Sequence, residues 1–457
     1  MDKLNICLFN DSFPPVIDGV ATAVRNYAQI ITEKHGKAAV VTPYYPDVDD
    51  SGYSFPVLRY PSVSLTKKLG YRAGIPFSPE LMTRIEEARF DLLHSHCPIS
   101  STLLARGVRE QLPMPLVLTY HTKFDIDIAN AVRGKLIQDE MVRLLVKNIV
   151  ACDEVWTVSR GAGENLRSLG FDRDYVVMPN GVDLPKGRAT DEAVREVTEG
   201  YDLPAGTPVL LFVGRMMWYK GIRIILDALK TLDAEGRDFR MVFVGGGGDI
   251  EEIRAYARDL SGKGKAYFVE PIRDRERIRA WYCRADLFLF PSTFDTNGLV
   301  VREAAACALP SVLVRGSCAA EDVADGETAF LIEENAASMA EELRRLLPAP
   351  DLMRRVGEQA QRDIYLSWED AVANAWEGYG AVLEKFRSGG YARQRNSADE
   401  LLRSIAQIMD LFGKLDQTKT ALEYRGRPLS FEELRTLIRR TKDPTDPLST
   451  QRQDRFL

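Results

Sequence analysis

Two acids and two bases stand where strands give way to helices. Asp295 and Glu303 lie eight positions apart in "STFDTNGLVVREAAACALPSVLV" (292–314), directly after the apolar run "ADLFLFP" (285–291). Arg215 and Lys220 bracket the turn "GRMMWYKG" (214–221), directly after "VLLFV". Two cations beside a helix start are electrostatically unfavourable, because the first-turn N–H groups already carry partial positive charge. A diphosphate supplies the missing negative charge. In the acidic stretch, a helix opening near Gly298 leaves the N–H groups of Gly298 and Leu299 for phosphate oxygens. Glu303 then lies about one and a half turns along, at roughly 3.6 residues per turn. A carboxylate there can accept two hydrogen bonds from a vicinal diol such as a ribose. Asp295, ahead of the turn, reaches the other side of the diphosphate, where a sugar's hydroxyls would lie.

Further loops after strands bear on the same chemistry. In "NDSFPPVIDGVATAVRNYA" (10–28), Gly19 and Val20 open a helix whose free N–H groups suit an anion. "VGGGGDIEEI" (244–253) reads either as a close backbone approach or as a strand-to-helix turn capped by Asp249. "FDIDI" (124–128) contains a D-x-D of the kind that binds a divalent metal in another transferase fold. Cations already occupy the diphosphate's place, so no metal is expected. "HSH" (94–96) is expected to point its rings to opposite faces of a strand, with no third ligand evident.

The elements that hold these loops alternate. Strands are expected near 4–9, 37–42, 91–95, 115–120, 154–158 and 175–178, with helices at 19–34, 99–111, 129–151 and 159–169 between them. A Pro-, Gly- and charge-rich stretch (179–208) reads as a linker. A second series of strands follows at 209–214, 239–245, 266–270, 285–290 and 310–314, which makes two parallel α/β domains. The domains are placed at 1–182 and 183–365, followed by a helix over 366–388 that crosses back to the first, then a polar helical tail over 389–457. The 457 residues, 45% hydrophobic and 28% charged, suit a soluble globular chain of two or three domains. A net charge of −6 gives no reason to expect nucleic-acid binding. No apolar run approaches the ~18 residues of a membrane span, and "LNICLF" (4–9) is too short for a signal peptide. The six cysteines form no C-x-x-C pair, and several fall in apolar segments and read as buried thiols, which fits a reducing cytoplasm better than a disulfide framework.

The ordered set of motifs resembles the GT-B, family-4 retaining glycosyltransferases, whose hallmark is E-x7-E followed by an "EAxAxGxPxV" helix and strand. Here Asp295-x7-Glu303 leads into "EAAACALPSVLV". "FPPVIDGVATAV", "YHT" (120–122), "SRGAGENL" (159–166), "PNGVD", "GRMMWYKG" and "YCRADLFLFPS" complete the match over about residues 1–388. The resemblance implies two Rossmann-like domains with parallel sheets facing a central cleft. It implies transfer of a hexose from a nucleotide diphosphate sugar, a UDP-sugar being favoured, with retained anomeric configuration and neither metal nor cofactor. Gly19 and Val20 would approach the pyrophosphate, Arg215 and Lys220 neutralise it, and Glu303 hold the ribose. Asp295 would hold the transferred sugar, Asn297, Gly298 and Leu299 supply donors around it, and His121 face the sugar near the scissile bond. On this division of labour, Asp295→Asn leaves nucleoside diphosphate binding nearly unchanged. Two departures from the family pattern stand out. Asp295 replaces a glutamate, and Ala308 replaces a glycine, read here as a packing matter.

The acceptor is sought in residues 51–79, which contain no acid before Glu80 but carry Arg59, Lys67, Lys68 and Arg72 among five aromatic residues. This segment resembles that of relatives which glycosylate lipids, so diacylglycerol or a glycolipid at an anionic membrane surface is the expected acceptor, with the protein peripheral on the inner face. The competing reading is a catalytically inactive nucleotide-sugar sensor or scaffold subunit, which would bind donor without releasing nucleotide.

Overall fold

The computed structural model describes residues 3–16, 18–64, 72–76, 78–131, 134–260 and 263–391, with the backbone of two short strands at 422–424 and 427–429. Statements below concern these residues. By compactness the chain divides into two units. One comprises Met1–Leu118, Ile128–Glu154 and Val382–Leu457, and the other Thr119–Asp127 with Val155–Ala381.

Strands β1 (Asn5–Phe9), β2 (Lys37–Pro43) and β3 (Val57–Tyr60) are followed by a short antiparallel pair, β4 (Ser62–Ser64) and β5 (Arg72–Gly74). Then come β6 (Leu92–Ser95), β7 (Leu116–Tyr120), β8 (Glu154–Thr157) and β9 (Val176–Val177). They build a seven-stranded sheet of order β3-β2-β1-β6-β7-β8-β9. Its central strands are buried along nearly their whole length, as strands covered on both faces must be.

The second unit holds a six-stranded parallel sheet. Its strands are β10 (Val209–Val213), β11 (Arg240–Val244), β12 (Lys265–Val269), β13 (Leu287–Phe290), β14 (Ser311–Val314) and β15 (Phe330–Ile332), in the order β12-β11-β10-β13-β14-β15. Leu210 pairs with Leu287 and Leu211 with Phe288, and both sheet faces are packed with Val, Leu, Ile and Phe side chains of one continuous core. The start of a strand is pinned three times by the same device. Asp91, Asp153 and Asp286 each precede or begin a strand connection and accept from the first N–H of the neighbour, at Asn5, Leu116 and Val209 respectively, each at 2.8 Å.

The alternation read from the sequence appears in both sheets. β3 and β15 are additions, both short: β3 has Arg59 within its four residues, and β15 is only three residues long. The helix expected over 129–151 begins later, at Lys135, because Gly134 stands at φ +103°. A separate helix covers Phe124–Ala131. The helix Trp368–Arg387 forms as a single element, and Tyr379 on it stacks on Trp156 of β8 at 5.3 Å. The compactness division falls within this helix, between Ala381 and Val382. Most of the tail, and with it its helical reading, lies outside the described residues; Leu422–Tyr424 and Arg427–Leu429 pair as antiparallel strands. The six cysteines are free thiols, four of them buried. Among the described residues no helix is long and apolar enough to cross a membrane.

Ala308 corrects one sequence reading. It is not a packing matter: Ala308 stands at φ +55°, in the left-handed region, just after the helix Leu299–Ala306. A β-carbon there costs roughly 1–2 kcal/mol, which explains why the family pattern carries glycine at this position. Glycine's greater freedom in the unfolded chain takes back part of the gain. We therefore expect Ala308→Gly to stabilise the protein by about 0.5–1 kcal/mol, seen as a higher midpoint in urea unfolding with an unchanged slope.

Candidate active site

In the six-stranded sheet the chain runs outward from β10 to β11 and β12, then returns to β13 on the other side of β10. Loops leaving the carboxyl ends of β10 and β13 therefore diverge around a crevice, the usual place for a ligand in an open α/β sheet. "GRMMWYKG" leaves β10, and "PSTFDTNG" leaves β13.

Gly221 brings the two loops into contact. It stands at φ +76°, and a β-carbon on it would lie 2.2 Å from the Pro291 carbonyl oxygen. Only glycine lets the turn Trp218–Lys220 lie so close to the exit of β13. Lys220 Nζ then reaches Asp295 Oδ1 at 2.6 Å, while Ser292 Oγ donates to Asp295 Oδ2, also at 2.6 Å. The Lys220 side chain is only 8% exposed. Burial pulls its pKa down, Asp295 works against that, and nearby Arg215 adds to it. Arg215 is exposed, 5.8 Å over the Tyr219 ring, and forms no ion pair among the described residues. The sequence reading gave Lys220 to a diphosphate and Asp295 to a sugar; the folded protein pairs them with each other.

The four-glycine loop supports this arrangement from behind. Met216 N–H donates to the Gly246 carbonyl at 2.9 Å, and Asp249 N–H to the Met216 carbonyl at 3.2 Å. Asp249, expected to cap its own helix, makes no such bond; its Oδ2 accepts from Trp218 N–H at 2.9 Å. The carboxylate thus fixes the turn that ends in Lys220.

On the β13 side, Gly298 takes a left-handed conformation (φ +58°, ψ +40°) and begins the helix Leu299–Ala306 with no side-chain cap. A β-carbon at Gly298 would come within 2.9 Å of Ala319 Cα. Asn297, Gly298 and Leu299 thus stand at an uncapped helix start, as the sequence implied. Glu303 is buried on this helix, with Arg275 Nη2 paired to its Oε1 at 2.5 Å and Tyr282 Oη donating to its Oε2 at 2.8 Å. Burial, followed by the Glu303 charge, pushes the Tyr282 pKa well up, so its hydroxyl remains a donor. Burial opposes the Arg275 charge, but Glu303 outweighs it and the pKa rises. A carboxylate offers about four acceptor directions, so these two bonds leave capacity for a diol. The sequence reading missed both partners, yet their seven-residue spacing on the helix Arg275–Arg284 is a same-face signal.

His121 follows β7 and belongs to the second unit. Its backbone carbonyl accepts from Thr296 Oγ1 at 2.8 Å, and Ser159 Oγ donates to the Thr296 carbonyl at 2.5 Å, so the 292–298 loop is fastened beside it. Asn180 Nδ2 lies 3.3 Å from His121 Nδ1. With the amide nitrogen facing the ring, Nδ1 accepts, and a neutral imidazole then carries its proton on Nε2. Burial lowers the His121 pKa to about 3, leaving the imidazole neutral. Asn180 lies in "PNGVD", a segment whose role was not read from the sequence.

Further sequence candidates are carried by the first unit. Gly19 and Val20 lie in the first unit at the start of the helix Gly19–Ile30, where the Asp18 side chain accepts from Ala21 N–H at 2.7 Å. Arg59 is bound through two bonds to Asp50, at 2.7 and 2.8 Å, and also donates to the Pro14 and Pro43 carbonyls. Arg72 donates to Ser62 through two nitrogens. Both arginines are thus tied into the protein, and Lys67 and Lys68 lie outside the described residues. The histidine reading needs correction. His94 and His96 do not point apart; their rings lie 4.0 Å from each other, since residues two apart leave a strand on the same face. Asp125, of the D-x-D stretch, lies on the helix Phe124–Ala131. Among the described residues no three His, Cys, Asp or Glu side chains cluster as a metal site.

Comparison with known proteins agrees with this architecture. The family model "Glycosyltransferase Family 4" matches residues 17–186, and "Glycosyl transferases group 1" matches residues 195–363. The chain is 30% identical over 325 residues to D-inositol 3-phosphate glycosyltransferase 2 of Catenulispora acidiphila, covering 67% of this chain and 74% of that one. It is 26% identical over 318 residues to the alpha-monoglucosyldiacylglycerol synthase of Streptococcus pneumoniae, covering 68% and 70%. The chain belongs to the family-4 glycosyltransferases. Its fold is GT-B: HepE of Anabaena, solved with UDP, superposes with a TM-score of 0.64 at 17% identity over 83% of this chain and all of that one.

In this glycosyltransferase the buried neutral histidine has a thermodynamic signature. The unfolded chain takes up a proton near pH 6.5, whereas folded His121 does so only near 3. Between these values the unfolded state binds more protons, so stability falls as pH falls, by up to about 1.4 kcal/mol per unit. Above pH 6.5 the contribution vanishes. Relative to wild type, His121→Gln should therefore gain about 2 kcal/mol between pH 7 and pH 5, measured by urea unfolding at each pH.

Proposed function

We propose that this glycosyltransferase moves a hexose from a nucleotide diphosphate sugar, with a UDP-sugar favoured, to an acceptor hydroxyl with retention and without a metal. The observation that carries the reading is the convergence of exposed Arg215, the Lys220–Asp295 pair and the uncapped Gly298 helix start at one strand-order switch. Cations and free N–H groups suit the diphosphate. Glu303, held at both oxygens, suits the ribose diol, and Asp295 suits the hydroxyls of the sugar. Neutral His121, with its proton on Nε2, adds a hydrogen-bond donor rather than a charge. In same-face transfer, a leaving phosphate oxygen accepts the acceptor's proton. The protein's part is then to stabilise charge on that phosphate and orient the acceptor, which asks for cations rather than a protein nucleophile.

The favoured acceptor is a lipid hydroxyl, as in diacylglycerol or a glycolipid at an anionic surface. Support comes from the similarity to a synthase named for a glucosylated diacylglycerol. The similarity to enzymes named for D-inositol 3-phosphate makes a soluble polyol phosphate the acceptor to compare. A donor screen scored by nucleotide release, run with diacylglycerol vesicles and with inositol phosphate, separates these and identifies a sensor by binding without release.

Arg215→Ala removes a charge-assisted contact to the diphosphate worth roughly 1.5–3 kcal/mol. It should lower kcat/KM about ten- to two-hundred-fold while thermal stability is retained, since Arg215 is exposed and forms no ion pair among the described residues. Steady-state kinetics beside a melting curve checks both, and activity should persist in EDTA.

A further inference from the structure

We propose that the Lys220–Asp295 pair makes the site prefer a nucleotide that carries its sugar over the free nucleoside diphosphate. This rests on the nucleotide-sugar reading above and specifies how that site tells donor from product.

In the structure Asp295 has a partner on each oxygen, the Lys220 ammonium on Oδ1 and the Ser292 hydroxyl on Oδ2. Lys220 is deeply set, with the Phe294 and Tyr219 rings 5.5 and 5.7 Å from its nitrogen. Asp295 is the one acid it pairs with among the described residues. A diphosphate arriving beside Arg215 competes with Asp295 for that ammonium. When Lys220 turns to the phosphate, Asp295 keeps the Ser292 bond on Oδ2 but loses its charge-assisted hydrogen bond on Oδ1, and a carboxylate oxygen left half-buried without a donor is costly. A sugar on the β-phosphate supplies hydroxyl donors to replace the lost bond. A free nucleoside diphosphate supplies none, and its terminal phosphate brings additional negative charge toward the carboxylate. The donor is therefore accommodated and the product is repelled by the same acid, which favours release once the sugar has gone.

This reverses the sequence-based expectation for Asp295→Asn. The amide keeps the shape and can still accept from Ser292, but it no longer holds Lys220 or repels a terminal phosphate. Lys220 is then available to the diphosphate. The gain must run through Lys220, so it should disappear when that cation is absent.

The test is calorimetric titration of wild type, Asp295→Asn, Lys220→Met and the double variant. The probes are UDP, GDP and ADP with their glucose conjugates, and each protein's fold is checked by thermal melting. The expected result is about tenfold tighter nucleoside diphosphate binding in Asp295→Asn than in wild type. It should come with a smaller preference for the glucose conjugate, and Asp295→Asn should give no gain in the Lys220→Met background. If wild type binds a nucleoside diphosphate and Asp295→Asn binds it equally or more weakly, the inference is overturned while the nucleotide-sugar reading stands. Tightening that persists without Lys220 also overturns it. If wild type binds neither nucleoside diphosphates nor their sugar conjugates, both fall.

Discussion

The backbone of Gly221 passes so close to the Pro291 carbonyl that a β-carbon would sit 2.2 Å from its oxygen. That approach holds the loop after β10 against the loop after β13, and the Lys220–Asp295 pairing depends on it. Without it, Lys220 would lie on one loop and Asp295 on another, each free to remain in water. With it, a lysine is drawn into a largely buried place where its charge is tolerated because an aspartate meets it at 2.6 Å. Such a pair contributes little to net stability, since desolvating two charges offsets most of their attraction. Its effect is positional: it holds two opposite charges together where the loops after β10 and β13 meet.

The rest of the site follows the same pattern of polar groups with fixed partners. Glu303 is held by Arg275 and Tyr282, the 292–298 loop by Ser159 and Thr296, and the His121 ring by Asn180. Asp249 holds the Lys220 turn from outside the crevice. Groups that are already oriented need little reorganisation when charge develops on a leaving phosphate, which is how preorganised dipoles and cations lower a barrier. The neutral imidazole fits this setting, because a second buried positive charge beside the 292–298 loop would have to be desolvated at considerable cost.

The fold was legible in the sequence because its signals are local and periodic. Apolar runs alternating with amphipathic stretches marked the strands, and the ordered motifs marked the family. The short strands β3 and β15, four and three residues long, were not visible, and neither was the helix break at Gly134. The identities of the charged candidates Arg215, Lys220, Asp295 and Glu303 were also legible, since each sits at a fixed offset from a strand end. Their partners were not. Arg59 and Arg72, read as a cationic surface, turn out to be matched by Asp50, Ser62 and backbone carbonyls. His94 and His96 lie side by side rather than apart.

By itself the sequence determined which loops follow which strands, where helices start, and which side chains are available at those starts. These follow from periodicity and from backbone groups within a few residues. Tertiary structure decided which of the charges meet. Lys220 and Asp295 are 75 positions apart, and Arg275 and Glu303 are 28 apart. Their pairing is set by the strand order that puts β13 beside β10 and by a glycine thin enough to let two loops touch. It also decided that Ala308 carries a left-handed backbone, a strain visible only once the chain beyond the helix has somewhere it must go.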